Sequence, residues 1–228
     1  MKEALKLSLA LGIICGVAAS VLAFAEWQTQ EPRKRAETAQ RQEALRLVLP
    51  EFANDPLAES TTIDGVVFYP ARNAEGEMVG VAGEGSSSQG FGGTVTVLVS
   101  FGKNRNVRCV IVTDHKETPG LGTQVTDRRR ERSIWEAFTP SRNDDRAAAL
   151  PPNRFLDAFQ DKPAHLVASP DFQVVKNKEE AGQKSVLAVS GATVSSRAVE
   201  DAIATVCAAA VQYRPGARKQ TRHQAAGR

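Results

Sequence analysis

The stretch Thr94-Val95-Thr96-Val97-Leu98-Val99, followed by Lys103-Asn104-Arg105-Asn106 and then Val107-Arg108-Cys109-Val110-Ile111-Val112-Thr113, decides the fold class. The first run alternates apolar and polar positions and is rich in β-branched residues, as a strand with one buried face requires. A short polar turn leads straight into a second such run, so the pair reads as an antiparallel hairpin. Upstream, Thr61 to Tyr69 carries the same strand-forming residues, Asn73-Ala74-Glu75-Gly76 makes a turn, and Met78 to Ala82 continues as a partner strand. Downstream, Arg128 to Phe138 reads as a helix and the polar, Ala-rich Asn143 to Asn153 as an inserted loop. Ser185 to Val189 is a short strand. Val194 to Tyr213 is a helix with Val199, Ile203, Val206 and Ala210 on one face. The sum is a small α+β domain built on an antiparallel sheet, with no internal repeat.

Composition narrows the function classes. The 228-residue chain has a net charge of +3, a small and scattered surplus that gives no footprint for nucleic acid. Arg214, Arg218, Lys219, Arg222 and Arg228 lie among Gln, Ala and Gly, which reads as a solvated, poorly ordered basic tail over 214–228. The three cysteines, Cys15, Cys109 and Cys207, are unclustered, and so are His115, His165 and His223. No disulfide scaffold, four-thiolate cluster or metal site is expected from that spacing.

Near the N-terminus, Leu7 to Ala25 is uncharged between Lys6 and Glu26. At ~1.5 Å per helical residue this run matches the roughly 30 Å hydrocarbon core of a bilayer, and Trp27 lies where an interfacial aromatic belongs. Residues 1–26 are therefore expected to be a transmembrane anchor. Ala23-Phe24-Ala25 also fits a signal-peptidase site, which keeps a cleaved signal peptide as the alternative. Flanking charge does not fix the orientation: Arg33, Lys34, Arg35 and Arg41 outnumber Lys2 and Lys6, yet long domains cross membranes regardless of such counts. The Ala-, Glu-, Gln- and Arg-rich segment after Glu31 reads as a helical connector ending at Pro50, within a 27–60 linker.

Three motifs carry the candidate chemistry. Ser190-Gly191-Ala192-Thr193-Val194-Ser195-Ser196 joins a strand to a helix. Thr193 or Ser195 could be an N-cap, and the same helix start could seat a phosphate through its N–H groups and dipole. The two readings are compatible, because a hydroxyl there is placed to bear a phosphodiester. His115-Lys116-Glu117-Thr118-Pro119-Gly120-Leu121-Gly122 holds Glu117 and Thr118 before a stiff Pro-Gly turn, with Gly122 as a second permissive point. Gly83-Glu84-Gly85 to Gly90-Phe91-Gly92-Gly93 is dense in glycine. It lacks the Gly-Lys-Ser/Thr of a Walker loop, and reads as a flexible loop or as backbone lying close to something flat.

Taken together, His-Lys-Glu-Thr-Pro-Gly-Leu-Gly at 115–122, Ser-Gly-Ala-Thr at 190–193 and the N-terminal span resemble the FMN-binding G subunit of Rnf-type ion-translocating oxidoreductases. The related C subunit of sodium-translocating NADH:quinone reductase shares this domain. The resemblance implies an FMN-binding domain over 61–213 and FMN held as a phosphoester on Thr193, installed from FAD by a flavin transferase. Ser190, Gly191 and Ala192 complete the attachment motif, and Glu117, Thr118, Gly120 and Leu121 lie near the flavin ring. It further implies an electron-transfer subunit without catalytic residues of its own, partnered by the other membrane subunits of the complex. That subunit would be single-pass in the bacterial inner membrane, with its domain on the periplasmic or outer side. Two features depart from the family: Leu187 stands where an aspartate usually precedes the threonine by six residues, and 132–153 reads as an insertion. The alternatives are a stand-alone exported FMN-binding carrier and a cofactor-free anchored binding module.

Overall fold

Five strands form one antiparallel sheet in sequence order: β1 (Thr61–Ile63), β2 (Val66–Arg72), β3 (Met78–Gly90), β4 (Gly93–Phe101) and β5 (Val107–Asp114). In this computed structural model, residues 2–102, 104–128, 150–180 and 182–214 are described. The β4–β5 hairpin is paired as the sequence predicts, with Leu98 opposite Ile111 and Val99 opposite Val110. The single strand expected over Thr61–Tyr69 is instead two. Asp64 (φ 49°) and Gly65 (φ 81°) fold back so that Ile63 pairs with Val66. Aspartate followed by glycine suits a two-residue hairpin whose central residues both need positive φ.

A second correction concerns the glycine-dense segment, which is ordered sheet rather than flexible loop. Residues 83–90 are the second half of β3, paired to β4 from Gly83–Val99 through Gly90–Gly93. The last helix, α5 (Thr193–Gln212), lies against this strand. A Cβ on Gly83 would come within 2.7 Å of a Val206 methyl, and one on Gly85 within 2.6 Å of the other. The missing side chains let helix and strand backbones approach closely.

The sheet buries both faces. Val66, Phe68, Val95, Val97 and Val99 pack with Val199, Ile203, Val206 and Ala210 of α5. On the other face Tyr69, Ala71, Ala82, Leu98 and Ile111 pack with Leu45, Val48 and Leu49. Alternate residues of β2 and β4 thus point to opposite cores, as the pleat dictates. Between β5 and α5 come α2 (Thr123–Thr126), α3 (Arg154–Asp157) and α4 (Ala164–Val167), then β6 (Gln173–Val175) and β7 (Ser185–Leu187). The strand expected over Ser185–Val189 is there but pairs in parallel with β6, as a separate two-stranded sheet.

The chain divides into two compact units, Met1–Glu43 and Ala44–Arg228. One helix, α1 (Lys2–Val48), supplies the first and runs on through Pro32. It is long and apolar enough to cross a membrane. Its apolar side chains from Leu9 to Trp27 are exposed, which fits an anchor. The 129–138 part of the helix expected from Arg128, the 132–149 part of the expected insertion and the tail from 215 onward lie outside the described residues. Asn153, expected to close an inserted loop, is instead the buried N-cap of α3. Its Oδ1 accepts from Phe155 N and Leu156 N, and its Nδ2 donates to the carbonyls of Gln124, Val125 and Asp127.

Candidate functional site

The start of α5 is unusual in leaving its donors open. Thr193 is the first helical residue and Ala192 the N-cap, at φ −130°, with no side chain able to accept from the first turn. The expectation that Thr193 or Ser195 caps the helix is therefore not met. Both lie inside it, and the serine hydroxyls are engaged elsewhere. Ser196 Oγ donates to Ala192 O at 2.9 Å and accepts from Val189 N at 3.1 Å. Ser195 Oγ donates to Glu117 Oε2 at 2.5 Å. Among the described residues, no side chain accepts from the N–H groups of Thr193, Val194 or Ser195. A 20-residue helix beginning this way offers an anion several N–H donors and the positive end of its dipole.

Thr193 itself is half-buried, and Gly191 before it is exposed at φ 80°. That left-handed turn strongly favours glycine. It brings Gly191 beside Leu121, whose Cδ2 lies 3.6 Å from where a Cβ would stand. The Ser-Gly-Ala-Thr motif and the Pro-Gly motif, 70 residues apart in sequence between Leu121 and Gly191, thus meet in space. Leu121 is 51% exposed, Val194 52% and Phe91 73%. Ser190 and Thr118 are exposed, and Ala192 is buried.

The Pro-Gly turn is built as the sequence suggests. Leu121 N donates to Thr118 O at 3.2 Å, Gly120 takes φ 81°, and Gly120 N donates to Thr123 Oγ1 at 2.9 Å. Gly122 differs from expectation: its φ is −62°, so backbone freedom does not explain it. A Cβ there would come within 2.5 Å of Glu117 Oε2. Gly90 and Gly92 meet the same constraint. A Cβ on Gly90 would stand 2.7 Å from Glu117 Oε1, and one on Gly92 would overlap the Lys116 carbonyl. These glycines leave room for the Glu117 carboxylate and the Lys116 carbonyl, and Gly90 also for the Gly93 carbonyl.

Glu117 is only 5% exposed. Its Oε1 accepts from Gly92 N at 3.2 Å and its Oε2 from Ser195 Oγ. The carboxylate therefore faces inward, tying the β3–β4 turn to α5. Sequence reasoning singled out Glu117 but missed its partner Ser195, because nothing local links residues 78 positions apart. It also missed His115. The ring Nδ1 accepts from Glu117 N at 3.3 Å, which assigns the proton to Nε2, and Nε2 lies 2.9 Å from Asp127 Oδ1 and 3.1 Å from Thr126 Oγ1. This side chain holds the segment just before the Pro-Gly turn.

The FMN-binding domain family matches residues 90–208, which include both motifs and Glu117. Among curated relatives, the G subunit of the ion-translocating oxidoreductase complex of Methanosarcina acetivorans is 30% identical over 89% of this chain and 92% of its own length. The corresponding G subunit of Stutzerimonas stutzeri is 32% identical over 52% of this chain, a match that spans about half (54%) of that relative. The G subunit of the Na(+)-translocating ferredoxin:NAD(+) oxidoreductase complex of Acetobacterium woodii is 24% identical over 89% of each chain. The crystal structure of Shewanella oneidensis NqrC aligns at a TM-score of 0.42 and 18% identity over 72% of this chain and 70% of that one, too distant a likeness to argue from. The chain belongs to the FMN-binding domain family, with the G subunits of ion-translocating oxidoreductase complexes among its relatives.

Proposed function

We propose that this chain is the membrane-anchored, electron-carrying G-type subunit of an ion-translocating oxidoreductase, with FMN esterified to Thr193. The observation that carries the reading is the start of α5: a threonine hydroxyl with no hydrogen-bond partner among the described residues, on an uncapped helix turn beside exposed Leu121 and Val194. FMN, when bound, accepts and passes on electrons. The residues fit such a group. The N–H groups of Thr193, Val194 and Ser195 would hold the phosphate, Gly191 gives it access to the backbone, and Phe91, Leu121 and Val194 offer apolar surface to a flat ring.

Attachment by a flavin transferase would join Thr193 Oγ1 to the FMN phosphorus of FAD. The bond between the two phosphates breaks, AMP leaves, and the hydroxyl proton is released. No general base of this chain is needed for electron transfer itself, because tethering and orientation are the protein's tasks. The apolar first unit supports anchorage, and we place the folded unit on the outer side of the bacterial inner membrane, with the other subunits of the complex as partners. Leu187, in place of the usual aspartate, favours one competing reading, an anchored binding module without cofactor.

Intact mass of the full chain co-expressed with a flavin transferase decides between them. One added FMN less one water supports the proposal, and an unmodified mass under those conditions overturns it.

A further inference from the structure

We infer that Glu117 is the positioning residue of the flavin site, a buried carboxylate clasp that locks the Phe91 turn and the Leu121 turn onto the first turn of α5. The inference rests on the reading of Thr193 as the attachment point.

Glu117 is nearly sealed from water, yet no cation is paired with it among the described residues. Its charge is met by two neutral donors, Gly92 N at 3.2 Å and Ser195 Oγ at 2.5 Å. A buried carboxylate with so few partners is costly to keep, and a neutral side chain would fill the same space more cheaply. The cost is coherent if both oxygens are needed at once. One oxygen fixes the turn that carries Phe91, and the other fixes the helix turn that carries Thr193 and Val194. The glutamate's own backbone carries the third apolar residue, since Leu121 follows within four positions through the Thr118–Leu121 turn.

The surroundings are shaped to keep the carboxylate in one place. Gly90, Gly92 and Gly122, from two separate segments, each leave a space that a Cβ would take from Glu117 or from the adjoining Lys116 backbone. His115 Nδ1 accepts from Glu117 N and is itself held by Asp127, so main chain and side chain are both fixed. Phe91, Leu121 and Val194 are exposed and lie on three different segments, and Glu117 is the group common to all three. It acts on the flavin through them and has almost no exposed surface of its own.

Two arms test this on the full chain. In the first, hydrogen exchange is followed in the Thr193→Ala protein, which carries no ester. Glu117→Gln in that background, which keeps the shape but loses the charge and one acceptor, should speed exchange at Gly92, Leu121 and Gly122 by about tenfold, with the C-terminal half of α5 unchanged. Glu117→Ala should speed it further. Unaltered exchange in both variants overturns the clasp. In the second arm, flavinylated Glu117→Gln protein should keep its covalent FMN by mass. Iodide should quench its flavin fluorescence at least about twofold more strongly, and its midpoint potential should move toward that of free FMN. Faster exchange with unchanged quenching and potential would show a clasp that does not position the flavin, and would overturn the inference. A wild-type protein with no flavin mass instead overturns the Thr193 reading, and the exchange arm still decides the clasp.

Discussion

Ser195 donates its hydroxyl to Glu117 across 2.5 Å, joining the first turn of α5 to the Pro-Gly motif 78 residues earlier. Both groups are buried, with Ser195 at 3% and Glu117 at 5% exposure. Ser195→Ala would leave one buried carboxylate oxygen without its donor. An unmade bond to a charged group costs about 1–3 kcal/mol, so urea unfolding should show a loss of that size. A loss below about 0.5 kcal/mol would mean that water replaces the hydroxyl freely.

Thr193→Ala should abolish fluorescence of the denatured protein in a gel, because no oxygen remains to carry the ester. Thr193→Ser should be modified in part, since its hydroxyl is chemically competent but lacks the γ-methyl that restricts its rotamer. A flavin band that survives denaturation in the alanine variant would move the attachment elsewhere.

Thr118 is exposed in the turn that carries Leu121, and its side chain makes no hydrogen bond among the described residues. If it meets the flavin ring, Thr118→Val should leave Thr193 esterified but alter the absorption spectrum and shift the potential. One hydrogen bond is worth about 0.5–1.5 kcal/mol, or a few tens of millivolts for one electron. Unchanged spectrum and potential would leave Thr118 as a turn residue only.

Gly85 tests the close approach of α5 to β3. A Cβ there would lie 2.6 Å from a Val206 methyl and 3.9 Å from the Ala202 carbonyl. Gly85→Val should cost about 1–3 kcal/mol or more through overpacking. Pairing it with Val206→Ala should recover part of that loss, and chemical denaturation of the two variants measures it.

Glu200 supplies the pH dependence. Burial, reinforced by the neighbouring Asp201 carboxylate, pushes its pKa up from the usual carboxylate value to about 7. Its folded-state pKa lies above its unfolded one, so the folded chain holds the proton more tightly between the two values. Stability from this group is therefore present at low pH and is lost as pH rises toward and through about 7. Glu200→Gln should leave stability unchanged near pH 4 and raise it at pH 8. Equal stability of the two proteins at pH 8 would count against the shift.

The antiparallel sheet, the terminal helix and both motifs were legible because their signals are local: alternation in Val95–Val99, a helical stripe from Val199 to Ala210, and a stiff Pro119-Gly120 turn. The roles of the glycines were not. Gly83 and Gly85 answer to Val206, and Gly90 and Gly122 to Glu117, and each partner is remote in the chain or hidden by the fold. The helix cap was misread for a related reason. Ser and Thr at a helix start usually satisfy the helix's own donors, whereas here Ser195 serves Glu117 and Ala192 caps nothing. The Asp64-Gly65 hairpin was legible but overlooked, its strand-forming flanks masking a two-residue reversal.

Leu45, Val48 and Leu49 close the second core although they belong to, or directly follow, the same helix that begins in the apolar N-terminal segment. The last turn of that helix is therefore a working part of the folded body's core. A protease cut or a soluble truncation placed after Leu49 would uncover Tyr69, Leu98 and Ile111 and leave a sticky, aggregating fragment. One placed before Ala44 would release a body that still has its floor.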